Sequence, residues 1–174
     1  MKVKTILVGN FTNCYLIIKD KNCLIVDPGF ESNKIIKAID NLNLTPLAIL
    51  ITHNHFDHIG AKDELKMHYN IPIYDFNNLQ EGLKEINLFT FETIYFSGHK
   101  EDEIAFYFKD DNLMLVGDFI FYEDIGRTDL DGGSEIDIKK SISKIKKYPS
   151  NTTLYPGHGK PTTLDHELKN NPYF

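Results

Sequence analysis

Long apolar runs and cysteine are both scarce in this sequence. No stretch approaches the roughly 20 consecutive apolar residues that a membrane-spanning helix requires, so we expect no membrane partner. The only cysteines are Cys14 and Cys23, and each lies within an apolar, strand-like run, where small buried thiols are common. A disulfide would suit a secreted chain better. We therefore predict reduced, buried thiols and a cytoplasmic protein.

Positive charge is sparse as well. The chain has 19 Lys and Arg against 25 Asp and Glu, a net charge of −6, and Arg127 is its only arginine. Because nucleic-acid phosphates are bound by surfaces rich in Lys and Arg, we expect no nucleic-acid partner. The one cluster of lysines, in residues 139–147, alternates with isoleucines at helical spacing, which indicates the outer face of a helix.

The pattern of apolar residues predicts a single mixed α/β domain over residues 1–174. Its 174 residues, 41% of them hydrophobic, suffice for one core and are too few for two full-sized domains. A helix is expected from Ser32, a second through Ile59, Leu65 and Tyr69, and a third from Ser134 to near Tyr148. Strands are expected in both halves, which suggests two sheets packed face to face with helices outside, at residues 3–8, 14–18, 23–26, 47–51, 71–74, 88–96, 104–108, 113–116 and 152–155.

Three histidines and an aspartate occupy six positions directly after the strand predicted at 47–51. The H-x-H-x-D-H spacing places His53 and His55 at the strand end, while the following turn presents Asp57 and His58. Imidazole and carboxylate groups at such spacing are typical metal ligands, and two neighbouring cations are a natural outcome. His68, on the outer part of a predicted helix, and His166, in a polar tail, are interpreted as ordinary histidines.

Four ligands cannot complete two metal sites, so further ligands should follow later in the chain. Three candidates lie beside glycines where predicted strands end: His99, Asp118 and His158. Each alone is weak evidence, because a lone buried His or Asp usually has ordinary hydrogen-bond partners. Together with the H-x-H-x-D-H segment they predict a site for two divalent ions, with zinc favoured and iron or manganese compatible with the ligands.

The sequence resembles the metallo-β-lactamase superfamily, in particular its small glyoxalase II-like members. The resemblance spans nearly the whole chain and is carried, in the family's order, by residues 13–16, 27–29, 53–58, 117–118, 126–130, 132–134 and 155–159. It implies an αββα four-layer sandwich of two mixed sheets. It also implies that one ion is held by His53, His55 and His99 and the other by Asp57, His58 and His158, with Asp118 as the bridge.

The activity implied by the resemblance is hydrolysis of small 2-hydroxyacyl thioesters such as S-lactoylglutathione. A metal-bridging hydroxide would attack the carbonyl carbon, with Asp57 and Asp118 as the catalytic carboxylates. Arg127 follows Gly126, where long glyoxalase II enzymes place a basic residue that contacts the thiol carrier. It is thus a candidate substrate-binding residue, and a structural salt bridge to Asp129 or Asp124 is the alternative.

Two departures from the family pattern bear on the site. Lys100 stands after His99 where relatives have Thr or Ser, which puts a cation near the expected metals. Long glyoxalase II enzymes also carry a C-terminal helical extension that helps to hold glutathione, whereas this sequence ends at Phe174, so the acyl group and the carrier stay open. The oligomeric state stays open too.

Several other functions compete with thioester hydrolysis. Secreted two-zinc lactamases place a cysteine where Asp118 stands, so antibiotic hydrolysis is not expected. Persulfide dioxygenases share the same motifs and use a single iron, which makes an oxidoreductase the main alternative. A catalytically silent metal-binding regulator is the second alternative.

Overall fold

The computed structural model describes residues 1–9 and 11–174, which divide into two compact units. The first unit comprises residues 1–79 and 85–90, and the second comprises residues 80–84 and 91–174. Two large mixed sheets with associated helices make up the described chain, as the sequence predicts. The single domain expected over residues 1–174 stays a prediction.

The sheet of the first unit contains five strands in their order along the chain. Its first three strands pair antiparallel, which short connections allow. The next two pair parallel, because helices supply the longer crossovers that parallel pairing needs. The strands are β1 (Lys2–Val8), β2 (Thr12–Lys19), β3 (Asn22–Val26), β4 (Thr45–Leu50) and β5 (Ile73–Tyr74), and the helices are α1 (Ser32–Asn41), α2 (Phe56–Ile59) and α3 (Lys62–Tyr69).

The helices of the first unit bury their apolar faces on this sheet. Helix α1 begins at Ser32, as predicted, and its Ile35 and Ile39 are wholly buried in one cluster with Leu65 of α3 and residues of the strands. The second predicted helix is wrong as a continuous element, because it is divided between α2 and α3. The backbone N–H of Ala61 donates to the carbonyl of Pro28 (2.9 Å), which replaces a helical hydrogen bond at this point.

Cys14 in β2 and Cys23 in β3 are free and wholly buried in the same cluster, which confirms the prediction of buried thiols. Burial raises the pKa of the Cys23 thiol to about 12 and raises the pKa of Cys14 well above its usual value. Both thiols therefore stay protonated at neutral pH and offer no thiolate to a metal or a substrate.

The second large sheet contains six strands in the order β13-β12-β9-β8-β7-β6, and a two-stranded hairpin, β10 with β11, accompanies it. Parallel pairing occurs between β9 and β12, whereas β7, β8 and β9 pair antiparallel. The strands are β6 (Gly82–Ile86), β7 (Phe89–Tyr95), β8 (Ile104–Phe108), β9 (Leu113–Gly117), β10 (Ile120–Phe121), β11 (Asp124–Ile125), β12 (Thr153–Pro156) and β13 (Thr162–Thr163), and the helices are α4 (Glu135–Ile145) and α5 (Leu164–Asn170).

The two helices of the second unit show where sequence patterns succeed and fail. Helix α4 starts as predicted, with the Ser134 hydroxyl accepting a hydrogen bond from the Asp137 backbone N–H (3.2 Å), but it ends at Ile145, before Tyr148. The polar tail expected around His166 is wrong, since these residues form α5. No helix in residues 1–9 and 11–174 has the length and apolar character to cross a membrane, and the cytoplasmic location stays a prediction.

Candidate metal centre

The ligand segment of the first unit follows the end of β4. His53 and His55 lie in the irregular segment between β4 and α2, with extended backbone at His55, and Asp57 and His58 lie in α2, where the chain turns. His53 and His58 are buried, whereas His55 and Asp57 are partly exposed. The irregular segment after β4 and the helical turn that follows it thus bring four metal-type side chains into one neighbourhood.

Asp27 fixes the orientation of His53 and His58 through hydrogen bonds. Its buried carboxylate accepts hydrogen bonds from the Thr52 backbone N–H (2.8 Å), the Thr52 hydroxyl (2.7 Å) and Nδ1 of His58 (3.0 Å). The Thr52 hydroxyl donates to Asp27, so its oxygen accepts from Nδ1 of His53 (3.1 Å). Both imidazoles therefore carry their proton on Nδ1 and keep Nε2 as the nitrogen for a metal.

The remaining ligand atoms of this unit lie close to those two nitrogens. Nε2 of His53 lies 2.9 Å from Nδ1 of His55, and Nε2 of His58 lies 3.8 Å from Oδ2 of Asp57. The Thr12 hydroxyl donates to the same Oδ2 of Asp57 (3.0 Å) and holds that carboxylate in place. Two converging pairs of donor atoms result, one with two nitrogens and one with a nitrogen and an oxygen.

Close backbone packing supports the ligand turn and explains a glycine. A Cβ added to Gly29 would lie 1.8 Å from the carbonyl oxygen of Asp57, so a larger residue at this position would push the turn away. The sequence pattern identifies residues 27–29 as a turn, but it does not reveal that Asp27 supports the histidines. A buried acid directly after a strand is the only signal that could have indicated this role.

In the second unit three candidate ligands meet around one carboxylate oxygen. Nε2 of His99 lies 3.8 Å from Oδ2 of Asp118, and Nε2 of His158 lies 3.5 Å from the same atom. The backbone carbonyl of Arg127 accepts a hydrogen bond from Nδ1 of His99 (2.8 Å), which again leaves Nε2 as the ligand nitrogen. One carboxylate oxygen of Asp118 therefore lies near both imidazole nitrogens.

Backbone contacts tie the three loops of this unit together. The carbonyl of Gly117, at the end of β9, accepts a hydrogen bond from the Gly157 backbone N–H (2.7 Å), which fixes the loop of His158. The buried side chain of Glu103 accepts a hydrogen bond from the Asp118 backbone N–H (3.1 Å). Sequence reasoning did not identify Glu103.

The donor set fits divalent metal ions. Within the first unit, ligand atoms of His53 and His55 lie within 4.8 Å of each other, as do those of Asp57 and His58. Within the second unit, the same holds for His99 and Asp118. Neutral imidazole and ionised carboxylate suit zinc, iron and manganese, and the fixed tautomers prepare the nitrogens for binding. The described residues thus contain a metal-binding His and Asp cluster; which metal it binds is a separate question.

Four other side chains singled out in the sequence have defined surroundings. Arg127 makes a bidentate ion pair with Asp129, in which both nitrogen to oxygen distances are 2.7 Å. This contact raises the pKa of Arg127 and lowers the pKa of Asp129 to about 2. The ammonium of Lys100 donates to the carbonyl of Asp131 (3.4 Å). His166 contacts the Glu123 carboxylate (2.8 Å), and the ring of His68 packs against Tyr69.

Comparison with known proteins agrees with this geometry. The model of the metallo-β-lactamase superfamily matches residues 7–77 and 75–158. The chain belongs to the metallo-β-lactamase superfamily. It is 38% identical to the probable metallo-hydrolase YqgX of Bacillus subtilis, with 99% of this chain and 97% of that protein covered. It is 30% identical to the hydroxyacylglutathione hydrolase GloC of Haemophilus influenzae, with 99% and 98% covered.

Two solved structures are similar over the same length. The BLEG-1 B3 metallo-β-lactamase has a TM-score of 0.96 and 32% identity, with 99% of each chain covered. TTHA1623 in a di-iron-bound form has a TM-score of 0.92 and 28% identity, with 99% of this chain and 100% of that chain covered. The predicted family and fold class are therefore confirmed, and two metal ions are suggested by the ligand cluster together with the di-iron relative.

Proposed function

We propose that the chain is a dinuclear metallohydrolase that cleaves small 2-hydroxyacyl thioesters. In this proposal His53, His55 and His99 hold one ion, Asp57, His58 and His158 hold the other, and Asp118 bridges them. The observation that carries it is the position of Oδ2 of Asp118, within 3.8 Å of an imidazole nitrogen of His99 and of one of His158. The fixed Nδ1 tautomers of His53, His58 and His99 support it further.

The thioester part of the proposal rests on the relative GloC, whose name states hydrolysis of hydroxyacylglutathione. Two divalent ions would supply Lewis acidity and would lower the pKa of water enough to make it a nucleophile at neutral pH. Asp57, whose Oδ2 accepts a hydrogen bond from the Thr12 hydroxyl (3.0 Å), would take the proton of that water. No cysteine nucleophile is required, since burial raises the pKa of both thiols.

Arg127 is proposed to bind the thiol carrier. It lines a cavity of about 480 Å³ in the second unit, together with Lys139 and the apolar side chains Ile125, Ile138 and Tyr173. This volume lies in the range of roughly 300–1,000 Å³ that is typical of small-molecule sites. The side chain of Arg127 is 61% exposed, and a carboxylate or carbonyl of the carrier would replace Asp129 as the partner of its guanidinium.

A substrate panel tests the proposal. The purified chain, loaded with zinc, iron or manganese in parallel, would be assayed with S-lactoylglutathione, with lactoyl thioesters of other thiols and with unsubstituted acyl thioesters. We expect hydrolysis of the 2-hydroxyacyl compounds at a rate that depends on the metal. The proposal would be overturned if the chain leaves every thioester intact and instead either consumes oxygen with glutathione persulfide or hydrolyses only a β-lactam.

A further inference from the structure

We propose that Glu103 is a positioning residue that sets the geometry of two candidate metal ligands, Asp118 and His99. Its carboxylate is wholly buried, and Oε1 accepts the Asp118 backbone N–H (3.1 Å). This inference rests on the metal centre proposed above, but it does not depend on the thioester substrate. Neither the family resemblance nor the sequence motifs point to this residue.

Backbone hydrogen bonds of Glu103 close the loop of His99. The backbone carbonyl of Glu103 accepts the Phe96 N–H (3.0 Å), and the backbone N–H of Glu103 donates to the carbonyl of Lys100 (3.4 Å). These two bonds join the end of β7 to the start of β8 and close the short loop that presents His99. The main chain of Glu103 therefore holds one ligand loop while its side chain holds the next.

The side chain of Glu103 contacts the turn that presents Asp118. Gly117 has a left-handed backbone (φ 55°), so the chain changes direction just before this ligand. The hydrogen bond from the Asp118 N–H to the Glu103 side chain (3.1 Å) restrains that turn. This turn carries the Asp118 carboxylate, whose Oδ2 lies 3.8 Å from Nε2 of His99 and 3.5 Å from Nε2 of His158.

Burial of the Glu103 side chain has a free-energy cost. A carboxylate removed from water is expensive unless charged or polar groups compensate it, so a buried Glu needs a specific reason. At Glu103 the compensation includes the backbone of a candidate metal ligand.

Glu167 offers a matched control within the same unit. It is also wholly buried and also accepts a backbone N–H, that of Glu123 (3.0 Å), and it accepts further hydrogen bonds from Thr162 and Asn171. None of these partners is a candidate ligand. Loss of Glu167 should therefore affect folding stability without a specific effect on metal binding.

The test compares Glu103→Met and Glu103→Gln with Glu167→Met and Glu167→Gln. Methionine keeps the volume and removes the acceptor, whereas glutamine keeps an acceptor oxygen. Metal content, affinity in competition with a chelator, and the visible spectrum of the cobalt-substituted chain would be measured. We expect Glu103→Met to weaken the more weakly bound ion by roughly 10- to 100-fold and to change the cobalt spectrum, as for other residues that orient ligands. Glu103→Gln should stay within about threefold of the parent.

Unchanged affinity and spectrum in Glu103→Met would overturn the inference, as would equal changes in Glu167→Met. If Glu103→Met does not fold, Glu103→Asp should show a smaller change of the same kind, because its acceptor is one methylene shorter, and an unchanged Glu103→Asp would then overturn the inference. A parent chain that binds no metal would overturn the proposed function and this inference together. Metal binding without thioester hydrolysis would overturn only the proposed substrate.

Discussion

The two sets of candidate ligands are built in opposite ways. In the first unit four ligands come from six consecutive positions, and one buried acid, Asp27, orients His53 through Thr52 and His58 directly. In the second unit three ligands come from three loops far apart in sequence, and backbone hydrogen bonds hold those loops together. The first set is a local motif, and the second exists only through long-range contacts.

This difference suggests where each set is vulnerable. Asp27 accepts three hydrogen bonds from two residues, so replacement of one of its oxygens by an amide group would point a donor at a donor of Thr52 or His58, and the hydroxyl or the imidazole would have to reverse its role. Glu103 accepts one backbone N–H from Asp118, which a glutamine oxygen can also accept. The comparison therefore predicts that the same chemical change will be harmful in the first unit and tolerated in the second.

The largest effect is expected for Asp118→Ala. Removal of the proposed bridge should leave the chain with about one tightly bound ion and should lower kcat/KM by more than roughly 100-fold, more than the loss of an orienting residue. Metal analysis and thioester kinetics measure both effects. His166→Ala is the control in the same unit, because this histidine contacts Glu123 and no ligand candidate. Two retained ions with full activity in Asp118→Ala would exclude it as a ligand.

The second effect concerns Asp27→Asn. One amide N–H would face the donors on Thr52 or His58, so the tautomers of both histidines would no longer be fixed. We expect metal affinity to fall by roughly 10- to 100-fold. Chelator competition on Asp27→Asn and Glu103→Gln, measured side by side, checks the comparison between the units. Equal affinities in these two variants would contradict it.

Much of this organisation was predictable from the sequence, and the reasons are physical. The H-x-H-x-D-H segment and the strand-end positions of His99, Asp118 and His158 are visible because metal ligands need particular residue types at particular places. Asp27 and Glu103 were missed because a supporting carboxylate looks like any other acid until its partners are known. Helix α5 was missed because it has seven residues, of which only Leu164 and Glu167 are buried.

A smaller effect is expected for Arg127→Ala. If Arg127 binds the carrier, its loss should raise KM by roughly ten- to a hundredfold with kcat largely kept, since a charged hydrogen bond is lost in ground state and transition state alike. Metal content should not change. The control is Asp129→Asn, which frees the guanidinium and should leave KM equal or lower. A change confined to thermal stability would instead assign Arg127 to the salt bridge alone.

The smallest effect concerns the two thiols of the first unit. Because burial raises the pKa of Cys23 to about 12, the folded chain should resist alkylation at neutral pH and react only after unfolding. Between pH 9 and 12 the unfolded thiol loses its proton while the folded one keeps it, so stability should fall as pH rises through this window. Mass spectrometry after alkylation checks the first point. Rapid labelling of the native chain would show that a thiol is accessible to the reagent, and it would contradict this prediction.

The most direct test of the dinuclear hydrolase is a metal titration of the metal-free chain. Zinc would be added stepwise, and hydrolysis of S-lactoylglutathione or of the best thioester found would be followed together with bound metal. We expect activity to rise until about two ions are bound per chain and to be lost again on chelation. Full activity with a single bound ion, or no activity with two ions bound, would contradict it.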